Sequence, residues 1–101
     1  ALTEPNFGST FRNPQGAAVG KMIEELGLKG TVEGGAKISE IHGNFIVNYS
    51  KQATSTDVLR LMFKMYNAVK QKFGYEIKTE VIFIGNMTEE EKKIWTLIKS
   101  H

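Results

Sequence analysis

Residues 54–74 read TSTDVLRLMFKMYNAVKQKFG, and this stretch decides the fold that the sequence predicts. Apolar residues recur along it at helical spacing and form one stripe, which comprises Val58, Met62, Met65, Val69 and Phe73. Thr54 followed by Asp57 predicts a capping box at the helix start, and Gly74 predicts the helix end. We therefore expect a long amphipathic helix whose apolar stripe packs on the remainder of the chain.

Short apolar segments, separated by glycine and polar residues, lie on both sides of this helix. Residues 44–49 are crowded with β-branched and aromatic side chains and predict a strand. Shorter strands are predicted at 31–33 and 36–39, with a bulge or tight bend at Gly34-Gly35 between them. Four consecutive apolar residues within 79–84 predict a strand that is buried on both faces.

A first helix is predicted from Pro14 or Gln15 to Leu26. Asn13 has the N-cap chemistry for it, because its side chain can accept a free backbone N–H, and proline suits the first helical position. Gly27 then lies where a left-handed residue often ends a helix. This arrangement predicts that the helix N-terminus points at the loop that precedes it.

The two ends of the chain complete the predicted architecture. Residues 1–12 favour a loop or an extended lead-in. Thr88 with Glu91 predicts a second capping box and a last helix to about Ser100. The order is thus α-β-β-α-β-α, which predicts an α+β two-layer domain with helices packed on a small mixed sheet.

Composition restricts the classes of protein to consider. The chain has 101 residues, a length that predicts a single domain, and its net charge of +2 is too small to argue for a nucleic-acid partner. It contains no cysteine, which is compatible with the reducing cytoplasm and excludes thiolate chemistry. No apolar run is long enough to predict a membrane span. The two histidines, His42 and His101, lack the spacing of metal ligands, so we expect no metal site.

Four places in the chain carry candidate chemistry, and the serine, the glutamate and the histidine each have a simpler structural alternative. Ser9, in the stretch GSTFRNP (residues 8–14), could donate a proton or act as a nucleophile, or it could be a turn serine. Arg12 with the predicted helix N-terminus at Asn13 makes a candidate anion site. Glu80 could be a general acid or an electrostatic stabiliser, or an exposed carboxylate at a strand end. His42 could bind an anion or a substrate oxygen, or could be polar surface.

Four segments taken together resemble the C-terminal domain of the UDP-N-acetylenolpyruvoylglucosamine reductase (MurB) family. Their order and spacing match the family over about residues 6–85, and the predicted last helix lies outside the resemblance. The segments are Gly8–Pro14, Leu26–Gly30 with Gly34-Gly35-Ala36 behind it, His42–Asn48 and Thr79–Gly85.

The resemblance implies an enzyme in which NADPH reduces bound FAD, and the flavin then reduces the enolpyruvyl group of a UDP-sugar to give UDP-N-acetylmuramate for peptidoglycan synthesis. Ser9 is similar to the family's proton-donating serine, and Glu80 to the acidic residue that stabilises the enol intermediate. Asn13 matches a contact to substrate phosphate, with Arg12 as its neighbour in that work. His42 lies where a substrate-binding polar residue is expected.

In this family the FAD-binding portion lies upstream of the part that this chain resembles. The resemblance therefore implies that residues 1–101 form the substrate-binding domain of a larger cytoplasmic flavoenzyme, whose N-terminal FAD-binding domain is absent from this chain. By itself the chain is expected neither to hold FAD tightly nor to turn over. The alternative is a free-standing module that binds a phosphorylated ligand or RNA through the predicted helix N-terminus at Asn13-Pro14 and nearby lysines.

Overall fold

The computed structural model describes residues 6–79 and 86–100. Within these residues the chain forms four short strands and three helices. In chain order they are β1 (Asn6–Ser9), α1 (Val19–Glu25), β2 (Val32–Glu33), β3 (Ala36–Ile38), β4 (Phe45–Val47), α2 (Ser55–Phe73) and α3 (Glu89–Ile98). The α+β class with helices packed on a small sheet is confirmed.

The four strands form one sheet in the order β1-β4-β3-β2. Each pair of neighbouring strands is antiparallel, and Gly34-Gly35 forms the predicted tight turn between β2 and β3. The sheet was expected to be mixed, but within the described residues the parallel pairing is limited to an isolated bridge between Thr79 and Lys99. The remainder of the strand predicted at 79–84 lies outside the described residues.

Strand β1 was not predicted as a strand, because residues 1–12 were expected to form a loop or an extended lead-in. It pairs with β4 in a register that sets Asn6 opposite Val47 and Ser9 opposite Phe45. The pairing joins segments that are far apart in sequence, and a local pattern rich in polar residues does not reveal such a partner. This register brings Ser9 next to the loop that precedes β4.

The predicted start of the first helix was wrong, since α1 begins at Val19 with Ala18 as its N-cap. Gly16 takes a left-handed conformation (φ 81°) that interrupts any helix from Pro14. Asn13 nevertheless binds the first turn of the helix, because its Oδ1 accepts the Val19 N–H at 2.9 Å although the two residues are six positions apart. The predicted end was right: Gly27 is left-handed (φ 71°) and follows the last turn.

Helix α2 supplies the centre of the core. It begins with the predicted Thr54–Asp57 capping box and ends at Gly74, which is left-handed (φ 80°). It packs on the β2–β3 hairpin, and α1 and α3 pack against it. The largest fully buried side chains include Tyr66, Leu59, Met62, Met65, Ile23, Ile38, Ile46 and Ile98. None of the helices in the described ranges is long and apolar enough to cross a membrane.

Candidate active site

Three of the five predicted site residues line one open cavity of about 510 Å³. These are Ser9, Asn13 and His42. The walls of the cavity come from the exposed side of α1, the end of β1 and the loop 41–44 before β4. The fold therefore brings together residues that are far apart in sequence, such as Ser9 and Asn44, which are separated by 35 positions.

Ser9 lies at the end of β1 with its side chain exposed to this cavity. Its Oγ accepts a hydrogen bond from Asn44 Nδ2 at 3.0 Å. The same amide also binds the main chain of Phe11, which donates its N–H to Asn44 Oδ1 at 3.0 Å and accepts from Nδ2 at 2.8 Å. Ser9 is thus held by a buried amide on the neighbouring strand end.

The loop 41–44 lies directly against α1 because residue 43 is glycine. A Cβ at Gly43 would be 2.5 Å from the carbonyl oxygen of Gly20 and 3.0 Å from Ile23 Cβ, and both of these residues belong to α1. Such distances leave no room for a side chain. The close approach fixes the positions of His42 and Asn44 relative to the helix.

Asn13 and His42 border the cavity with part of their polar groups already bound. Asn13 uses Oδ1 to accept the Val19 N–H, which leaves the Nδ2 donors of that amide for a ligand oxygen. His42 is exposed, and its ring lies 5.4 Å from that of Phe45, tilted by 40°. Its backbone N–H donates to Ser39 Oγ at 3.1 Å, so the main chain holds the residue while the imidazole faces the cavity.

Arg12 does not line the cavity of Ser9. It borders a second cavity of about 230 Å³, together with Pro14, Glu76 and Lys78. The Arg12 N–H donates to the Lys78 carbonyl at 2.8 Å, which fixes the backbone on that side. Because Asn13 borders both cavities, it connects them.

Glu80, the remaining predicted site residue, lies outside the described residues. The residue before it is described and contacts the segment that follows Ser9. Thr79 Oγ1 donates a short hydrogen bond to the Thr10 carbonyl, and Thr79 is almost fully buried. The segments that precede Glu80 and follow Ser9 are therefore in direct contact. No group of three or more His, Asp or Glu side chains that could hold a metal ion occurs in the part of the chain that is described.

The sequence matches the family described as "UDP-N-acetylenolpyruvoylglucosamine reductase, C-terminal domain" over residues 1–84. The chain belongs to this family. Curated relatives named UDP-N-acetylenolpyruvoylglucosamine reductase include one from Anaeromyxobacter sp., which is 46% identical over 89% of this chain and 28% of its own length. Another, from Prochlorococcus marinus, is 53% identical over 80% of this chain and 27% of its own length.

A solved structure of this reductase family is similar in fold. The UDP-N-acetylenolpyruvylglucosamine reductase of Thermus caldophilus superposes with a TM-score of 0.60 at 43% identity, covering 73% of this chain and 26% of that one. The present chain thus spans about a quarter of the length of the relatives that it matches. Helix α3 lies beyond the residues that match the reductase family.

Several residues of the cavity in this reductase-family domain were not singled out from the sequence. They are Lys21, Glu24, Lys29 and Asn44. Lys29 Nζ lies 2.8 Å from Glu24 Oε1, and this hydrogen bond and charge, with a smaller contribution from Lys21, lower the pKa of Glu24. The available signal was the spacing of Lys21 and Glu24, which puts them on the side of α1 away from its apolar residues. Asn44 gave no comparable local signal.

Proposed function

We propose that this chain is the substrate-binding domain of an NADPH- and FAD-dependent UDP-N-acetylenolpyruvoylglucosamine reductase, which acts in peptidoglycan synthesis. The observation that carries the proposal is the shared cavity of Ser9, Asn13 and His42 in a chain of this family. The reaction adds a hydride and a proton across the carbon–carbon double bond of an enolpyruvyl group. The domain supplies the site for the sugar nucleotide and the source of the proton.

The described lining of the cavity suits a sugar nucleotide better than a flavin. It presents a hydroxyl, two amides, two lysine ammonium groups and the carboxylate of Glu24, which is paired with Lys29. Its aromatic side chains are those of His42 and Phe45. These groups bind anionic and hydroxyl oxygens, but they do not enclose a flat tricyclic ring. We therefore assign FAD to another part of the enzyme, from which, when bound, it supplies the hydride that originates from NADPH.

Ser9 is the proposed proton donor. After hydride addition to one carbon, the electron pair of the double bond resides in an enolate, and the adjacent carbon must form a C–H bond. The Ser9 O–H bond breaks as that C–H bond forms, and the serine oxygen keeps the electron pair until water returns a proton. A serine is a weak acid, so this step needs electrostatic stabilisation of its oxygen.

Glu80 is proposed to stabilise the enol form of the substrate carboxylate. Its neighbour Thr79 donates to the Thr10 carbonyl, next to Ser9, which supports a common location for the two groups. A carboxyl close to the substrate carboxylate is repelled in its ionised form, and this repulsion raises its pKa. It can then remain protonated and donate a hydrogen bond.

The diphosphate of the substrate is proposed to bind along Asn13 and Lys21, the lysine of α1. Asn13 offers its Nδ2 donors, and Lys21 contributes a positive charge on the same cavity. Arg12 borders the adjacent cavity, so it would contact a part of the ligand that extends past Asn13. His42 is proposed to bind a polar group of the sugar nucleotide from the opposite wall.

The experiment is Ser9→Ala in the enzyme that joins this chain to its flavin-binding portion. We expect reduction of the enolpyruvyl sugar nucleotide to fall by at least about 10²-fold, because the proton donor is lost. Transfer from NADPH to the flavin should remain unchanged, since it needs no serine. The control is Ser50→Ala, at an exposed serine that does not line the cavity. If the Ser9→Ala enzyme reduced the enolpyruvyl sugar nucleotide at the same rate as the unsubstituted enzyme, the proposal would be overturned.

The alternative of a free-standing module for phosphorylated ligands or RNA has less support. It was based on a helix N-terminus at Asn13-Pro14 and on nearby lysines, and α1 begins instead at Val19. We therefore retain the reductase proposal alone.

A further inference from the structure

Asn44 is a buried amide whose bonds converge on the proposed proton donor. Its side chain belongs to a residue that is only 8% exposed, and it makes three hydrogen bonds to residues 33 to 35 positions away. All three go to the segment Ser9–Phe11. A buried amide with every bond directed at one short segment fixes that segment and has few other roles to play.

The bond from Phe11 determines which way round the Asn44 amide lies. The Phe11 N–H can only donate, so the atom that faces it at 3.0 Å must be the carbonyl oxygen Oδ1. The nitrogen Nδ2 therefore faces the Phe11 carbonyl and Ser9 Oγ, to both of which it donates. Ser9 Oγ is thus an acceptor toward Asn44, and its own proton is left to point at the cavity.

The hydrogen bond from Asn44 Nδ2 to Ser9 Oγ also stabilises charge on the serine oxygen. As the O–H proton leaves, negative charge develops on Oγ, and a fixed N–H donor at 3.0 Å stabilises that charge without rearrangement. We propose that Asn44 is a positioning residue that keeps Ser9 oriented as a proton donor and stabilises its oxygen as the proton leaves. This inference rests on the proposed function of Ser9.

The role of the Asn44 side chain is separable from that of its backbone. The Asn44 carbonyl accepts the Thr10 N–H at 2.8 Å, and Ser9 pairs with Phe45 in the sheet. These main-chain contacts join β1 to β4 and do not involve the Asn44 side chain. Substitution of the amide therefore tests the orientation of Ser9 with the strand register retained.

The experiment is Asn44→Asp in the flavin-loaded enzyme. The aspartate keeps an acceptor for the Phe11 N–H but replaces the Nδ2 donor with a second acceptor, which draws the Ser9 proton away from the cavity. We expect kcat for enolpyruvyl reduction to fall by about 10²–10³-fold, with KM nearly unchanged. The solvent deuterium isotope effect on kcat should rise as proton transfer limits the rate. Rates are normalised to the enzyme concentration from flavin absorbance, and urea unfolding followed by far-UV circular dichroism checks that this domain is folded.

Asn48→Asp is the matched control, because Asn48 is also buried, follows β4 and uses Oδ1 to accept a backbone N–H from Ala53 at 3.0 Å. It does not line the cavity, so its normalised kcat should equal that of the unsubstituted enzyme. Should Asn44→Asp not fold, Asn44→Ala removes the donor without adding a charge and is expected to lower kcat in the same direction.

Combination with Ser9→Ala separates this inference from the proposed function. If Asn44 acts through Ser9, then Asn44→Asp has no further effect on the normalised kcat once Ser9 is alanine. A further loss in that background, or an increase in KM in place of the loss in kcat, would overturn the positioning role. Unimpaired catalysis by Ser9→Ala itself would instead overturn the proposed function.

Discussion

At the scale of the residue, Asp57 contacts two elements through one carboxylate. Its Oδ2 accepts the Thr54 N–H at the start of α2 and the Gly35 N–H in the β2–β3 turn, both at 3.1 Å. Burial alone would raise the pKa of Asp57, but the hydrogen bonds from the Gly35 and Thr54 N–H groups outweigh it, and the pKa is lowered. The ionised form is therefore the one that the folded state stabilises.

This stabilisation is fully present above the pKa of Asp57 in the unfolded chain, and it is lost as the pH falls through the lower folded-state pKa. We expect Asp57→Asn to reduce the free energy of unfolding by about 1 kcal/mol at pH 7, because the charged cap is lost. The decline in stability below about pH 4 should also become shallower. Urea unfolding across this range, with the exposed Glu25→Gln as control, measures both effects. An unaltered acid profile would contradict the role of the carboxylate.

The residues of the site show what the sequence could predict. Ser9, Asn13 and His42 were identified through their motifs, and the structure brings all three to one cavity. Asn44 was missed because its partners are 33 to 35 positions away, and an asparagine before a strand is typical of an ordinary turn. Arg12 was expected to share a site with Asn13; both border the smaller cavity, but Arg12 does not line the cavity of Ser9.

At the scale of the element, the features that depend on residues close together in sequence were predicted well. The capping boxes at Thr54 and Thr88 and the glycine ends at Gly27 and Gly74 depend on neighbours in sequence, and all four were confirmed. The strand β1 depends on a distant partner strand, which leaves no local pattern, so the sequence alone did not reveal it. The start of α1 depends on the left-handed conformation of Gly16, which the prediction of a helix from Pro14 did not take into account.

Substitution of Gly43 tests how closely α1 must approach the loop 41–44. Gly43→Ala would put a methyl group 2.5 Å from the Gly20 carbonyl oxygen, so either α1 or the loop 41–44 must shift. We expect a loss of about 1–3 kcal/mol in the free energy of unfolding and weaker binding of the sugar nucleotide. Isothermal titration and urea unfolding measure these changes.

Gly20→Ala is the matched control from the other side of this contact. A Cβ at Gly20 would meet Asn44 at 3.6 Å, an ordinary van der Waals distance, and alanine favours the helix by up to about 1 kcal/mol. Its stability should be equal or higher. If Gly43→Ala proved as stable as Gly20→Ala, the close approach would not be what holds the loop.

At the scale of the whole molecule, α3 is attached to the part of the chain that matches the reductase family. Arg60 makes a two-fold ion pair with Glu90 at 2.7 and 2.8 Å, and Thr56 Oγ1 donates to Glu91 at 2.7 Å. At its other end, the Ile98 carbonyl accepts the Thr79 N–H at 2.7 Å. Thr79 in turn donates to the Thr10 carbonyl, so α3 supports the backbone next to Ser9.

These contacts predict that α3 unfolds together with the rest of the chain. The single tryptophan, Trp95, lies in α3 and packs against the core, so its fluorescence reports on this helix while far-UV circular dichroism reports on the whole. We expect the two urea transitions to coincide, as in one cooperative unit. Ile98→Ala, at a fully buried residue, should lower both midpoints equally, because the free energy of unfolding falls by about 2–5 kcal/mol. The control Leu97→Ala, at a residue that is 40% exposed, should change both midpoints little. A fluorescence transition at lower urea concentration than the circular-dichroism transition would mean that α3 unfolds before the rest of the chain. In that case Thr79 would hold the backbone beside Ser9 through its bond to Thr10 alone, without support from the helix.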